Sequence, residues 1–180
     1  NEEAVAKRDA LQAARKAAIN YIKKSKEAPE NEDIQATDDD DQPDLLSAAV
    51  GLYSDDIRSK NRQLIYDVAG DVPLGVDLDV ADILNNLRDK VDTERGRSAI
   101  SVMDRIIELK AAEGVKVRFD DFYEMNSSPS RVMVKGKYNH SSRRIHISEQ
   151  FNTSDVDHSG ALAVTLAHEM LHPLFTAARA

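Results

Sequence analysis

The chain has 180 residues, of which 41% are hydrophobic and 31% charged, the balance of a soluble globular protein with an apolar core. It contains no cysteine, so disulfides and thiolate-held metals are excluded, and any metal must be bound by histidine and carboxylate. The formal net charge of −8 argues against nucleic acid or an anionic membrane as partner. No apolar run approaches the roughly 20 residues needed to cross a bilayer.

Residues 1–28 are rich in Ala, Lys, Glu and Arg, all good helix formers. Leu11, Ala14, Ala18, Tyr21 and Ile22 recur at helical spacing, which predicts a charged amphipathic helix that packs weakly or against a partner. Residues 29–43 open with Pro29 and hold the run Asp38 to Asp41, and this stretch reads as an acidic linker too polar to bury. The central Gly and closing Glu of a calcium-binding loop are missing from it.

Residues 44–113 return to a helical pattern. A first helix is expected from Asp44 to Val68, closed by Gly70. A second follows from Val80 to Val91, capped by Asp79, with Ile83, Leu84 and Leu87 on one face. The third spans about Thr93 to Glu113, with Gly114 placed to end it. Beyond Gly114 the period changes. Val115 to Phe119 alternates apolar and polar as a half-buried strand does, and Arg131–Tyr138 and Arg143–Ile147 do so around a polar turn, predicting a hairpin. Asp155, Asp157 and Ser159 read as loop and capping residues before a final helix that starts near Ser159 or Gly160. The order of helices, a small antiparallel sheet and one apolar helix makes the fold class α+β.

The final helix carries the chemistry. It reads His168-Glu169-Met170-Leu171-His172, the HExxH spacing. Residues four apart on a helix lie about 40° apart around its axis and about 6 Å along it. Two imidazoles so placed reach one zinc ion at about 2.0–2.1 Å. Glu169 lies about 100° round from His168, where its carboxylate addresses a metal-activated water as general base without ligating the metal. From Ala161 to Leu171 every other residue except Thr165 is Ala, Val, Leu or Met, so the helix is apolar on most of its circumference with one narrow polar stripe. Burying such a stripe costs several kcal/mol, on the order of the price of an unpaired polar group, unless the groups are paired or hold a metal. The plainer reading is a buried helix whose histidines bond within the core, and it leaves Glu169 without a reason.

Over about residues 115–175 this pattern resembles the zincin metallopeptidases, whose signature is the same motif on an apolar helix behind a small sheet. The resemblance implies that residues 114–180 form a zincin-like core, expected to be cut short at its C-terminus. It implies Zn2+ as cofactor, His168 and His172 as metal ligands, Glu169 as the catalytic general base and a peptide or protein as substrate. It also implies that Tyr138 to Ser148 is the hairpin before the motif helix, with an edge strand that takes substrate by strand addition. Two departures stand out. Pro173 follows the motif directly and is expected to kink or end the helix. A third ligand of the usual downstream kind is missing from Pro173 to Ala180. It lies further on in a larger parent polypeptide, comes from upstream (His140, His146 or Glu149 on the hairpin), or is lost in an inactive zincin-like remnant that serves as a binding or structural module. His158, ten residues before His168, is about 15 Å away along a helix and is a poor candidate.

Overall fold

The helix that bears the motif, His158–Arg179, is the axis around which the other elements are arranged. The computed structural model describes residues 2–27, 55–70, 74–120 and 135–179. In chain order the described elements are α1 (Glu2–Glu27), α2 (Asp55–Ala69), β1 (Leu78–Asp79), α3 (Val80–Arg88), α4 (Glu94–Glu108), β2 (Lys116–Asp120), β3 (Gly136–Asn139), β4 (Arg144–Ser148) and α5 (His158–Arg179). The α+β class holds. The acidic stretch 29–43, the expected start of the first central helix at Asp44 and the outer part of the strand expected from Arg131 lie outside the described residues.

The sheet is mixed rather than antiparallel, in the order β1-β2-β4-β3. β1 and β2 pair antiparallel, as do β3 and β4, but β2 and β4 run parallel with Val117 opposite Ile145 and Phe119 opposite Ile147. The local turns that alternation reveals are antiparallel. The parallel pair is made by a crossover of more than a dozen residues, which leaves no periodic mark.

Alternation nevertheless assigns the two faces of the sheet. Val117, Phe119, Ile145 and Ile147 are buried on one face, against Leu162, Leu166, Ala163 and Met170 of α5. Arg118, Arg144 and His146 stand on the other face, where Asp77 takes bonds from both arginines, at 3.1 Å from Arg118 Nε and 2.8 Å from Arg144 Nε. Those two guanidiniums, Arg144 first, hold the Asp77 carboxyl below its ordinary value.

α1 is not a weakly held appendage. Leu11, Ala14 and Ala18 are buried in the same core as α5, Gln12 Nε2 donates to the Ala178 carbonyl at 2.5 Å, and Arg15 lies 5.7 Å over the Phe175 ring. The same contacts explain why Pro173 does not end the motif helix, which continues to Arg179. An interior proline costs about 3 kcal/mol, and the turn beyond it buries Leu174 and Ala178 under α1, which offsets that cost. α4 stops at Glu108, sooner than its periodicity suggests, because Lys110 turns into the left-handed region with φ 58°. Gly114 then takes φ 77° in the approach to β2, not as the helix terminator. Asp79 is the residue before α3, but its carboxylate pairs with Lys116 and leaves the helix end without a side-chain cap.

The start of α5 is fixed by one carboxylate. Asp157 Oδ1 accepts from the Gly160 backbone N–H at 3.1 Å, and its Oδ2 accepts from Thr93 Oγ1 at 2.9 Å. Thr93 in turn caps α4 by accepting from Gly96 N at 3.1 Å, so the two helix starts share one hydrogen-bonded link. Glycine is needed at both ends of that link. A Cβ at Gly160 would meet the Asp157 carboxylate within 2.6 Å, and one at Gly96 would stand 2.3 Å from Val91 Cγ1 and 3.1 Å from the Gly160 Cα. Asp157→Ala removes the cap of α5 and the acceptor for Thr93, and is expected to lower the unfolding free energy by about 1–2 kcal/mol. Urea denaturation beside Asp155→Ala, whose carboxylate faces solvent and Lys60, measures the difference.

Candidate functional site

The polar stripe of α5 faces the edge strand β3. A Cβ built on Gly136 would lie 3.1 Å from both Glu169 Cγ and Thr165 Cγ2, so the strand crosses directly over the first half of the motif. Two residues on, Tyr138 faces the same side as Gly136, and its ring stacks on His172 with centroids 5.8 Å apart and planes 5° apart. His140, the first residue of the turn after β3, closes the cluster. Its ring stands 4.8 Å from Tyr138 and 5.8 Å from His172, edge-on to both. The turn is held by Asn139, whose side-chain oxygen accepts from the backbone N–H groups of Ser141 and Ser142 at 2.9 and 3.1 Å. Strand and helix therefore run side by side, with Gly136 at Thr165 and Glu169, and Tyr138 and His140 at His172.

Burial divides the stripe. The His172 side chain is 51% exposed, whereas that of Glu169 is only 14% exposed. Glu169 Oε2 is buried and accepts no hydrogen bond among the described residues; His172 Nε2 stands 3.9 Å from it. Removal from water pushes the Glu169 carboxyl up to about 7. His172 is lowered from its ordinary value, first by desolvation and then by the nearby His140. Thr165, the fourth polar residue of the stripe, spends its hydroxyl on the Ala161 carbonyl at 2.9 Å and offers its methyl to β3. Pro173 has no N–H to give the Glu169 carbonyl, so the backbone of the motif loses one helical bond there.

The remaining upstream candidates are committed elsewhere. His146 stands on the opposite face of the sheet from α5, and its Nδ1 donates to the buried Asp120 Oδ2 at 2.5 Å. Glu149 is buried and accepts from Arg62 Nε of α2 at 2.9 Å. His158 donates from Nδ1 to Asn61 Oδ1 at 2.7 Å, while Asn61 Nδ2 donates to the carbonyls of Glu149 and Asn152. Only His140 is brought to the motif. Sequence reasoning missed Tyr138 and Gly136 as site residues. Their signal was available in the hairpin register, which turns both toward the same face as Ile145 and Ile147.

Among the described residues, no three His, Asp or Glu side chains are gathered closely enough to hold a metal ion as they stand. The donors on α5 fit zinc in kind: two imidazoles one helical turn apart, beside a buried carboxylate oxygen that accepts no hydrogen bond among the described residues. They supply two of the three protein ligands that a catalytic zinc site uses. Comparison with protein-family models, with curated proteins and with solved structures finds no match to the chain.

A buried carboxylate oxygen that accepts no hydrogen bond among the described residues is a burden on the fold. Glu169→Gln keeps the shape and removes the charge, and is expected to stabilise the metal-free protein at pH 8 by on the order of 1 kcal/mol. Denaturant titration in the presence of a chelator checks it. A loss of stability instead would mean that the carboxylate is satisfied in the fold.

Proposed function

We propose that this chain is a zinc-dependent peptidase of the zincin type, in which His168 and His172 hold the metal and Glu169 is the general base. The observation that carries the reading is the Glu169 carboxylate, kept in an apolar helix at 14% side-chain exposure with an oxygen that no described protein group bonds. A structural glutamate in such surroundings has no favourable role, because burying its charge unpaired costs several kcal/mol, roughly the price of a missing hydrogen bond or more. A general base gains from the same surroundings. Desolvation brings its carboxyl to about 7, near the pH at which proton uptake and release are both easy.

A zinc ion held by the two imidazoles supplies Lewis acidity toward a peptide carbonyl and lowers the pKa of a water. The chain's own residues do the rest. Glu169 takes a proton from the water as its oxygen bonds to the carbonyl carbon, and passes that proton to the amide nitrogen as the C–N bond breaks. The acid and the amine leave with the atoms of one water between them. β3 contributes position. Its outer edge pairs with no other strand among the described residues, and it lies along the motif, so an extended peptide added to that edge runs past Glu169. Gly136 permits this approach, because any side chain there meets Glu169 and Thr165.

The competing reading, a zincin-like remnant acting as a binding or structural module, draws on the missing assembled ligand set. The two readings separate in one experiment. Wild type and Glu169→Gln are expected to bind about one zinc per chain, as fits one motif with two metal ligands, while His168→Ala binds none. Cleavage of an unfolded protein substrate falls about 100- to 10,000-fold in Glu169→Gln, the range for loss of a general base. Zinc binding without cleavage by the wild type would favour the module, and no zinc binding at all would remove the peptidase reading.

A further inference from the structure

We infer that His140, on the hairpin turn, is the third protein ligand of the metal site, so that the complete set is His140, His168 and His172. This rests on the proposed reading of the motif and completes it. A catalytic zinc takes three protein ligands and leaves the fourth position for water or substrate, and three imidazoles are one of the sets that do so. The helix supplies two, and its turns after the motif supply none: Pro173, Leu174, Phe175, Thr176, Ala177 and Ala178 carry neither imidazole nor carboxylate.

The geometry singles out His140 among the described residues. Two imidazoles bound tetrahedrally to one zinc at about 2.0–2.1 Å have ring centroids roughly 5 Å apart. The His140 and His172 rings are already 5.8 Å apart, with planes at 87°. Both sit at the surface, where rotation about their side-chain bonds meets little resistance: His172 is half exposed and His140 is exposed at a turn. A shift of under 1 Å between these two rings is within the reach of such rotations. Asn139 fixes the turn through Ser141 and Ser142, so the backbone that carries His140 is ordered beside the motif.

Alternative ligands would each break a contact. His146 would have to cross from the far face of the sheet and abandon Asp120, Glu149 would leave Arg62, and His158 would leave the buried Asn61 oxygen. His140 gives up only its contacts with Tyr138 and His172. The Tyr138 ring stacks on His172 and stands beside His140, so it packs against both imidazoles. Tyr138 is a positioning residue in this arrangement, not a ligand.

The arrangement also ties substrate binding to metal binding. The turn that supplies the third ligand is the end of β3, the same strand that lies along Glu169. A metal bound by His140 therefore pins the strand to the helix.

The test is zinc affinity of the full chain, measured by competition with a chromophoric chelator, together with X-ray absorption of the zinc-loaded protein. Wild type is expected to give three imidazole ligands. His140→Ala is expected to bind zinc at least about 100-fold more weakly, the upper end of what even indirect ligand support is worth, and to give two imidazoles at high zinc. His140→Asp restores part of the affinity, since zinc accepts a carboxylate at that position, and a merely structural histidine would not be rescued this way. Unchanged metal-free melting of both variants shows that they are folded. If His140→Ala keeps wild-type affinity and imidazole count while His168→Ala loses zinc, the assignment of His140 falls and the motif reading stands. If wild type binds no zinc, both fall.

Discussion

The arrangement depends on a conflict within α5, which must be buried on nearly every side and yet carries a carboxylate. Leu162, Ala163, Leu166, Ala167 and Met170 are fully enclosed, and around them gather α1, α2, α4 and the inner face of the sheet. Burying five such side chains stabilises the fold by something like 5–10 kcal/mol at about 25 cal/mol per Å² of apolar area. That sum is large enough to hold Glu169 out of water and to carry the helix through Pro173. The stability of the core is thus what allows a destabilising group to be kept in place. Where a fold maintains such a group at a cost, a chemical use is the simplest explanation.

The second constraint is the closeness of β3 to the motif. A sheet packed on a helix normally keeps about 10 Å between the two backbones, the space of two layers of side chains. Gly136 removes one of those layers at the point where Glu169 sits, and the strand backbone comes into direct range of the carboxylate stem. The next inward position is Tyr138, which restores the layer with a flat ring against His172. A small residue followed by an aromatic one thus sets the strand against the motif, with the turn residue His140 beside the second histidine.

How much of this was legible in the sequence follows from which signals are local. Helices with strong apolar stripes, such as α3 through Ile83, Leu84 and Leu87, were visible with boundaries within a few residues, because their periodicity is written in adjacent turns. The buried character of α5 and the direction of its polar stripe were visible for the same reason. The parallel pairing of β2 with β4 was not, since register across a crossover depends on the whole core. The end of α4 was misjudged because Lys110 takes a left-handed turn that Gly114 seemed better suited to provide. The packing of α1 was underestimated, as Ala14 and Ala18 beside Leu11 are small, and their worth comes from how closely they let α1 approach α5.

At the site, the motif residues were legible because their spacing is itself the chemical requirement. What surrounds them was not. His140, His146 and Glu149 look equivalent in sequence, three polar residues on one hairpin and its margin. Their separation is a consequence of pleat and of partners far away in the chain: alternation sends His146 to the face where Asp120 waits, and Glu149 lies next to Arg62 of α2, 87 residues away. His140 escapes both fates because it sits in the turn, where the strand's alternation no longer dictates direction. The residue with the least structural work to do is thus the one left over for a ligand. In a chain whose other upstream candidates are fixed by salt bridges or buried hydrogen bonds, that lack of commitment separates His140 from its neighbours more sharply than any feature of its own.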